Sequence, residues 1–373
     1  MFLNKGLFMR KILLFFFFIL SQHLVFSQDS TDVYKQIRFI KFNLANDLFT
    51  VFFQSDKYYT DGIDMELAHP IFNNKVADKV LLGFNNTPYK DFSLSFNQDM
   101  HTPENTQITT VDSSDRPYAG QIYLTYSKYS NQFIKGRKIT TSLHLGVQGP
   151  AAMAGKSQNW VHHIIDNDSV LGWDNQLSNG LIIDYIVQYM ALIPISTSIT
   201  ELHYFGNIHL GTLNSSTQAG IRFKIGHYTD SYMNFYGISN LLNDYHFTAS
   251  DIAKMTQNRR KLIPKRIRQK SLKEQAKYLN EKLNRKFQFY FFSEATVNYI
   301  LRDGSVEGSL IQFQDNIYEF NYDDYKHTKL LGRYGLVLQY KHFYMEYARY
   351  LENDTYQKNG VFGYGKIIIS VVF

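Results

Sequence analysis

Cysteine is absent from the 373 residues of the sequence. A chain without cysteine has no disulfide framework, no thiolate metal site, no cysteine nucleophile and no lipid anchor attached to a cysteine. Long apolar runs are also missing, because no segment after the N-terminal region has roughly 18 consecutive apolar residues. A protein that crosses a membrane with helices is therefore excluded.

Aromatic residues, in contrast, are abundant. The chain has 28 Tyr and 30 Phe against only 2 Trp, which gives an aromatic share of 16%, while the mean hydropathy is only −0.29. This balance is typical of a transmembrane β-barrel, whose outward face is apolar with aromatic girdles while its interior stays polar. A secreted all-β domain would share part of the same signature.

The N-terminus predicts export. Arg10 and Lys11 precede the apolar run Ile12–Leu20, and the small residue Ser27 suits cleavage by a signal peptidase. The run is too short to cross a bilayer as a helix, which needs roughly 20 apolar residues. We therefore expect a signal peptide over residues 1–27 and a barrel domain over residues 28–373.

Alternation of side chains along the strands favours the barrel. Ile139–Gln148 has Ile, Thr, Leu, Leu and Val at odd positions and polar or small residues at even positions, and Phe287–Leu301 repeats this over a longer span. Several such segments reach the roughly 9 to 11 residues that a tilted strand needs to cross a bilayer. The chain ends on Phe373, as outer-membrane barrels end on an aromatic residue. The sequence predicts an all-β transmembrane antiparallel barrel of about 12 strands in the bacterial outer membrane; a soluble β-sandwich is the alternative that alternation alone leaves open.

A basic segment interrupts the strand pattern. Lys254–Lys286 holds 13 Lys and Arg against two Glu, inside a chain of net charge +6. Ser271 and Glu274 have the spacing of a helical capping box. One helical face carries the apolar residues Leu272, Ala276, Leu279 and Leu283. We predict a basic helical insert over residues 250–286 at the periplasmic end, serving either as a solvated turn or as a contact for anionic lipid headgroups; an exported barrel is not expected to bind nucleic acid.

Four polar clusters stand where predicted strands meet outward loops. They are Ala45–Phe49, Asp56–Gly62, Gln98–Glu104 with Asp115–Gly120, and Ser157–Gln176, which reads SQNWVHHIIDNDSVLGWDNQ. Loops can be polar for solubility alone, and for any single cluster this is the better interpretation, but four clusters at one rim raise the question of a site. Gln158 and His162 are four residues apart, which places them on one face of a short helical element in an outer loop. We interpret Trp173 as fastening the loop that presents His162.

Taken in order with GVQGPAA, QNWVHHII and GWDNQL, these clusters resemble the outer-membrane lipid A 3′-O-deacylase family. The likeness spans roughly Phe42 to Tyr189, with a fainter echo at Leu301–Gly304. It implies a barrel whose site lies between the barrel wall and the outer leaflet. It also implies hydrolysis that removes a 3′-linked acyloxyacyl chain from lipid A, dependence on Ca2+, and lipopolysaccharide of the outer membrane as the partner.

The resemblance further implies roles for individual residues. His162 matches the catalytic histidine that activates water, for which an imidazole is suited by its ordinary pKa. Gln158 would hold substrate or water beside it. Asn46, Asp47 and Thr60 match the other site positions, with Asp47 as the anionic oxygen ligand that calcium requires. A bound cation would stabilise the oxyanion formed on the attacked carbonyl.

The residues that would bind a substrate phosphate match the family pattern less completely. Arg116 and Lys57 are the candidates, and Arg116 is the better one because its planar fork fits phosphate bidentately. The family's lysine in the second outer loop has no counterpart, since Glu104–Asp115 contains neither Lys nor Arg.

Two other functions stay open. Ser142 and His144 share one inward face of a predicted strand, close enough to pair in a serine-dependent phospholipase. The non-enzymatic alternative is a barrel that keeps the fold and serves as a channel or scaffold, and the missing lysine is its best support.

Overall fold

The computed structural model describes residues 38–46, 49, 58–85, 87, 90–112, 115–229, 231, 246–283, 285–318, 320, 322–353 and 361–373. Within them, twelve strands form a closed antiparallel barrel in which each strand pairs with its neighbours in sequence and the first pairs with the last. The strands are β1 Phe39–Asn46, β2 Tyr58–Ala68, β3 Lys90–Thr102, β4 Ala119–Gln132, β5 Arg137–Gln148, β6 Gly180–Leu192, β7 Thr200–Gly211, β8 Asn214–His227, β9 Phe287–Asp303, β10 Thr328–Tyr340, β11 Phe343–Asn353 and β12 Val361–Val372. The predicted signal peptide lies outside the described residues.

Short helices occupy the connections. They are α1 Lys75–Val80, α2 Ala154–Ile165, α3 Ala249–Lys254, α4 Gln257–Arg260, α5 Lys265–Arg268, α6 Leu272–Leu283 and α7 Gly304–Glu307, with 3-10 turns at Pro70–Phe72, Pro150–Ala152, Gly172–Asn175 and Tyr322–Asp324. Among the residues described, no helix has the length and apolarity to cross a membrane.

The strands alternate as the sequence predicts. On β9, the outward residues Phe287, Phe289 and Val297 are each about half exposed, whereas Gln288 and Tyr290 are buried on the inward face. Strand lengths run from 8 residues in β1 to 17 in β9, which suits tilted strands that cross a bilayer. The prediction of an all-β transmembrane barrel of about 12 strands is confirmed.

Strand pairing fixes which connections share an end of the barrel. Phe39 of β1 pairs with Val372 of β12, so the chain enters and leaves the barrel at the same end. We assign this end to the periplasm, the side from which an exported chain arrives. The β1–β2, β3–β4 and β5–β6 connections then lie at the outer rim, and α2 belongs to the last of them.

The basic segment between β8 and β9 packs into the periplasmic end of the barrel. Its helices α3 to α6 bury an apolar cluster against inward-facing residues of β6 and β7, including Met190, Leu192 and Phe205. Arg259 is fully buried, and its Nε donates a hydrogen bond to the carbonyl oxygen of Phe133 at 2.9 Å. The apolar face of α6 therefore has its partner inside the barrel, which the sequence pattern does not predict.

The capping box predicted for this segment is present at the start of α6. The backbone N–H of Glu274 donates to Ser271 Oγ at 3.3 Å, and the backbone N–H of Ser271 donates to Glu274 Oε2 at 3.2 Å. These reciprocal bonds satisfy two backbone donors that a helix start would leave open.

Candidate active site at the outer rim of the barrel

Helix α2 lies against the outside of the barrel wall. Met100 belongs to the outward face of β3, yet it is only 2% exposed because it packs in a cluster with Ala154 of α2 and with Trp173. Gly120 of β4 allows this close approach, since a Cβ built there would lie 2.5 Å from the Cβ of Ala154. The outer-loop helix predicted from sequence is thus held on the lipid-facing side of the rim.

The two candidate residues of α2 share its wall-facing side. Gln158 is fully buried and His162 is 5% exposed, one helical turn further along. The spacing of four residues produces this shared face, as the sequence predicts. Ala154, four residues before Gln158, packs against Met100 of the wall, so Gln158 and His162 lie on the buried face of α2 that begins at this contact.

The hydrogen bonding of His162 selects one tautomer of its ring. Its Nδ1 lies 2.5 Å from the backbone carbonyl oxygen of Asp168, and a carbonyl can only accept, so Nδ1 carries the proton. Nε2 makes no hydrogen bond to any described residue and is left as a proton acceptor.

Asn159 fixes the loop after α2, which turns back along the helix. The Asn159 side chain accepts from the N–H of Val170 at 2.7 Å and donates to the carbonyl oxygen of Val170 at 3.1 Å.

Gln158 connects α2 to the tryptophan of the same loop. Trp173 Nε1 donates to Gln158 Oε1 at 2.7 Å, and the Trp173 ring lies 5.1 Å from the ring of Tyr118. Burial raises the pKa of Tyr118 to about 12, so this phenol stays neutral. Within the described part of the chain Gln158 Nε2 is buried without a partner, which leaves one donor for a substrate or water oxygen.

Replacing Gln158 with Met is expected to loosen the loop. The substitution removes the acceptor of the buried Trp173 N–H, which costs roughly 1–3 kcal/mol. Amide hydrogen exchange of residues 150–176 measures this as a lower free energy of local opening. His163, which is exposed on the same helix, supplies the control: His163→Ala should change that free energy by less than about 0.5 kcal/mol. Unchanged exchange in Gln158→Met would show that the bond is not needed to hold the loop.

The register of the strands brings Asn46 toward the same site. Asn46 pairs with Asp61 of β2, Asp61 pairs with Met100 of β3, and Met100 pairs with Gly120 of β4. Directly paired residues lie on one face, so the row from Asn46 ends at Met100 and Gly120, the two residues that contact α2. Two strand spacings, about 10 Å, separate Asn46 from Met100. Thr60 lies where the β2–β3 register shifts, next to Asp61.

Two other predicted residues, Asp47 and Lys57, lie outside the described residues. Within the described residues, no group of three or more His, Asp or Glu side chains is arranged to hold a metal ion. The calcium site predicted at Asp47 therefore stays a prediction.

Arg116 points into the upper part of the barrel interior. Its Nη2 donates to Ser305 Oγ at 2.9 Å, and it lines an interior cavity of about 260 Å³ together with Arg302 and Asp303. Asp303 accepts from the backbone N–H of Ser305 at 2.9 Å, so the Leu301–Gly304 motif supports the residue that Arg116 contacts. A role for Arg116 in holding a substrate phosphate stays a prediction. No motif in the sequence indicates Ser305 as the partner of Arg116.

The residues of the serine-dependent alternative have other partners. Ser142 Oγ lies 2.8 Å from Ser127 Oγ, and the His144 ring stacks on Tyr123 with centroids 4.8 Å apart. In the described part of the barrel no hydrogen bond joins Ser142 to His144. The pair required by a serine nucleophile is not formed.

The strands have an apolar outward face and a polar inward face, and helix α2 holds His162 and Gln158 on the lipid-facing side of the rim. These features define an outer-membrane barrel protein with a candidate site at its outer rim. The sequence profile described as "Outer membrane protein LpxR" matches residues 12–373. This chain belongs to that family, which confirms the resemblance found in its motifs and places the protein in the bacterial outer membrane.

A solved structure of a family member shows the same fold. LpxR from Salmonella typhimurium matches with a TM-score of 0.63 at 14% identity, over 90% of this chain and 100% of that chain. A KdgM porin and the β domain of the Bordetella autotransporter BrkA match with TM-scores of 0.34 and 0.40 at 6% and 5% identity, over 90% of this chain and 99% and 98% of theirs. A comparison with curated protein sequences finds no match. Membership of the family supports an outer-membrane lipid A deacylase, which is a carboxylic ester hydrolase.

Proposed function

We propose that this protein is a calcium-dependent esterase that removes a 3′-linked acyloxyacyl chain from lipid A in the outer leaflet, with water activated by His162. Family membership supports the deacylase class. The observation that carries the finer assignment is the pair of Gln158 and His162 on the lipid-facing side of the wall, with Nε2 of the imidazole left as an acceptor.

The chemistry follows from the hydrogen bonds of His162. Nε2 takes a proton from a water molecule, and the water oxygen attacks the ester carbonyl. The imidazolium that forms keeps its Nδ1–H bond to the Asp168 carbonyl, which stabilises the added charge. The bond between the carbonyl carbon and the 3′ oxygen then breaks, the proton passes to the leaving alkoxide, and a free acyloxyacyl acid and a 3′ hydroxyl group on lipid A result. Gln158 Nε2 supplies a donor that can orient the water or the substrate.

Calcium would be held by Asp47 with the neutral oxygens of Asn46 and Thr60, and when bound it supplies polarisation of the ester carbonyl. The strand register supports a part for Asn46, because Asn46 pairs with Asp61 and Asp61 pairs with Met100, which packs against α2. Hard oxygen ligands of this kind suit calcium.

The opposite side of α2 supports a position within the lipid surface. Met153, Trp160 and Ile164 are exposed, with Trp160 at 66%, and all three lie away from Gln158 and His162 on the helix. Tryptophan favours the interface between headgroups and acyl chains. A helix seated there holds its buried side at the depth of the first acyl esters.

Mass spectra of lipid A from cells with and without the protein test the proposal. We expect a lipid A species that has lost one acyloxyacyl chain only in cells that make the protein. Ser142→Ala should leave this product unchanged, because Ser142 bonds to Ser127 rather than to His144. Unchanged acyl chains in all cells would overturn the deacylase proposal, and loss of product in Ser142→Ala alone would favour a serine nucleophile.

A further inference from the structure

The connection between β2 and β3 is bound to the outer surface of the barrel. Residues 69–84, called the strap below, contain the turn Pro70–Phe72 and helix α1. The strap lies on the outside of the wall near the periplasmic end, where its backbone accepts hydrogen bonds from side chains of β4, β5 and β6.

Lys128 of β4 anchors the strap from the lipid-facing side. It pairs across the sheet with Phe92 and Thr141, and all three belong to the outward row of their strands. Its Nζ donates to the carbonyl oxygens of Asp78 and Leu81, each at 2.7 Å, and lies 2.7 Å from Asp78 Oδ1. Lys128 is only 2% exposed as a result. A lysine on the lipid face of a barrel is costly, and the strap satisfies it.

The same carboxylate is bound from a second side. Lys90 Nζ lies 3.2 Å from Asp78 Oδ2. Burial favours the protonated form of Asp78, but the hydrogen bonds from Lys128 and Lys90 outweigh it and hold the pKa of Asp78 below its usual value. The ion pair is therefore intact at neutral pH.

Further bonds carry the strap across two more strands. Tyr185 of β6 donates its hydroxyl to the carbonyl oxygen of Val80 at 2.8 Å and accepts from the N–H of Leu82 at 3.1 Å. Thr141 of β5 donates to the carbonyl oxygen of Leu82 at 2.9 Å. The backbone of the strap is thus hydrogen-bonded to outward-facing side chains of three neighbouring strands, β4, β5 and β6.

The outer side of the strap is apolar. Ile71, Val76, Val80 and Leu82 are exposed by 76%, 69%, 54% and 55%. On α1, Val76 and Val80 share one face, Ala77 and Asp78 turn toward the wall, and the exposed Lys75 and Lys79 form the remaining edge. An apolar face bordered by lysines is the pattern of a helix that lies in a membrane interface.

We propose that the strap is a membrane anchor that binds phospholipids of the periplasmic leaflet. Val76 and Val80 lie among the acyl chains, while Lys75 and Lys79 meet headgroup phosphates.

Two observations select lipid as the occupant. The strap continues the lipid-facing surface, because strands β4, β5 and β6 expose Leu124, Leu145 and Ile183 to about half on the same outward side. The lysine edge of α1 is also complementary to anionic headgroup phosphates. The apolar face and the lysine edge match a bilayer, in which the acyl-chain layer lies next to the layer of charged headgroups.

The absence of cysteine from the chain makes a spin-label test direct. Val76→Cys and the matched control Lys75→Cys are labelled with a nitroxide and folded into vesicles of phosphatidylethanolamine and phosphatidylglycerol. Leu145→Cys, on the lipid-facing wall, is the reference for lipid exposure. At Val76 we expect accessibility to oxygen to exceed accessibility to a water-soluble nickel chelate several-fold, as at Leu145, and the opposite order at Lys75.

Equal access of the nickel chelate to the labels at Val76 and Lys75 would overturn the proposal, because the strap would then face water. Dipolar broadening between labels on separate molecules would overturn it as well, since a second copy of the chain would cover the face. If a labelled variant does not fold, Val76→Trp provides the same distinction. Phospholipids brominated on their acyl chains should then quench fluorescence beyond the quenching of Trp160 and Trp173 in the parent, and quenching no greater than in the parent would count against the anchor.

Discussion

Replacing His162 with Ala is expected to lower the rate of acyl-chain release from lipid A by roughly 10²- to 10⁴-fold, the range for loss of a general base. The imidazole is the only group in the described site with a free acceptor nitrogen and a partner that fixes its tautomer. Alanine removes both properties. Release of fatty acid from purified lipid A in detergent micelles, followed by mass spectrometry, measures the rate.

The neighbouring histidine supplies the control for this experiment. His163 is exposed on the other side of α2, so His163→Ala should keep the parent rate. Asp168→Ala should also keep it, because Asp168 acts through its backbone carbonyl, which the substitution leaves in place. A parental rate in His162→Ala, in protein shown to be folded by its β-sheet circular dichroism, would rule out His162 as the base.

Removal of calcium is expected to have the second large effect. If the cation polarises the ester carbonyl, a chelator should lower the rate by roughly 10²- to 10³-fold, comparable to loss of one oxyanion donor. Returning calcium should restore the rate. Asp47→Ala should raise the calcium concentration needed for half the maximal rate or abolish the response. The rate of fatty acid release as a function of free calcium measures both effects.

An aspartate elsewhere at the rim provides the matched control. Asp174 is exposed in the loop that follows α2, and Asp174→Asn should leave the calcium dependence as in the parent. A rate that is insensitive to chelation would contradict the calcium assignment without contradicting His162 as the base. The two predictions therefore test separate parts of the proposed function.

Much of the fold could be predicted because its signals are local. Side chains of successive strand residues point to opposite faces, so the alternation in β5 and β9 reports the two sides of the wall without knowledge of the partners of either strand. The capping box of Ser271 and Glu274 joins residues only three positions apart in the sequence. The shared face of Gln158 and His162 likewise follows from helical geometry.

The environment of the candidate site could be predicted only in part. The spacing of Gln158 and His162 does not reveal that Trp173 donates to Gln158, or that the Asp168 carbonyl sets the tautomer of His162. Both contacts depend on how the loop after α2 turns back on the helix. Motif similarity gave the candidate residues, and the loop conformation gave their hydrogen bonds.

The sequence by itself determined that the chain forms an outer-membrane barrel, which residues face lipid, and which residues are candidates for ester hydrolysis. Only the tertiary structure decided where the connections go. The basic segment packs against the inner face of the barrel, and its Arg259 bonds to Phe133, which is 126 residues away. The strap crosses the outside of the wall because Lys128 meets Asp78, 50 residues away. A periodic sequence pattern shows on which face of a strand a side chain lies. Contacts between residues so far apart in the chain form only after the strands have closed into a barrel, so no local pattern predicts them.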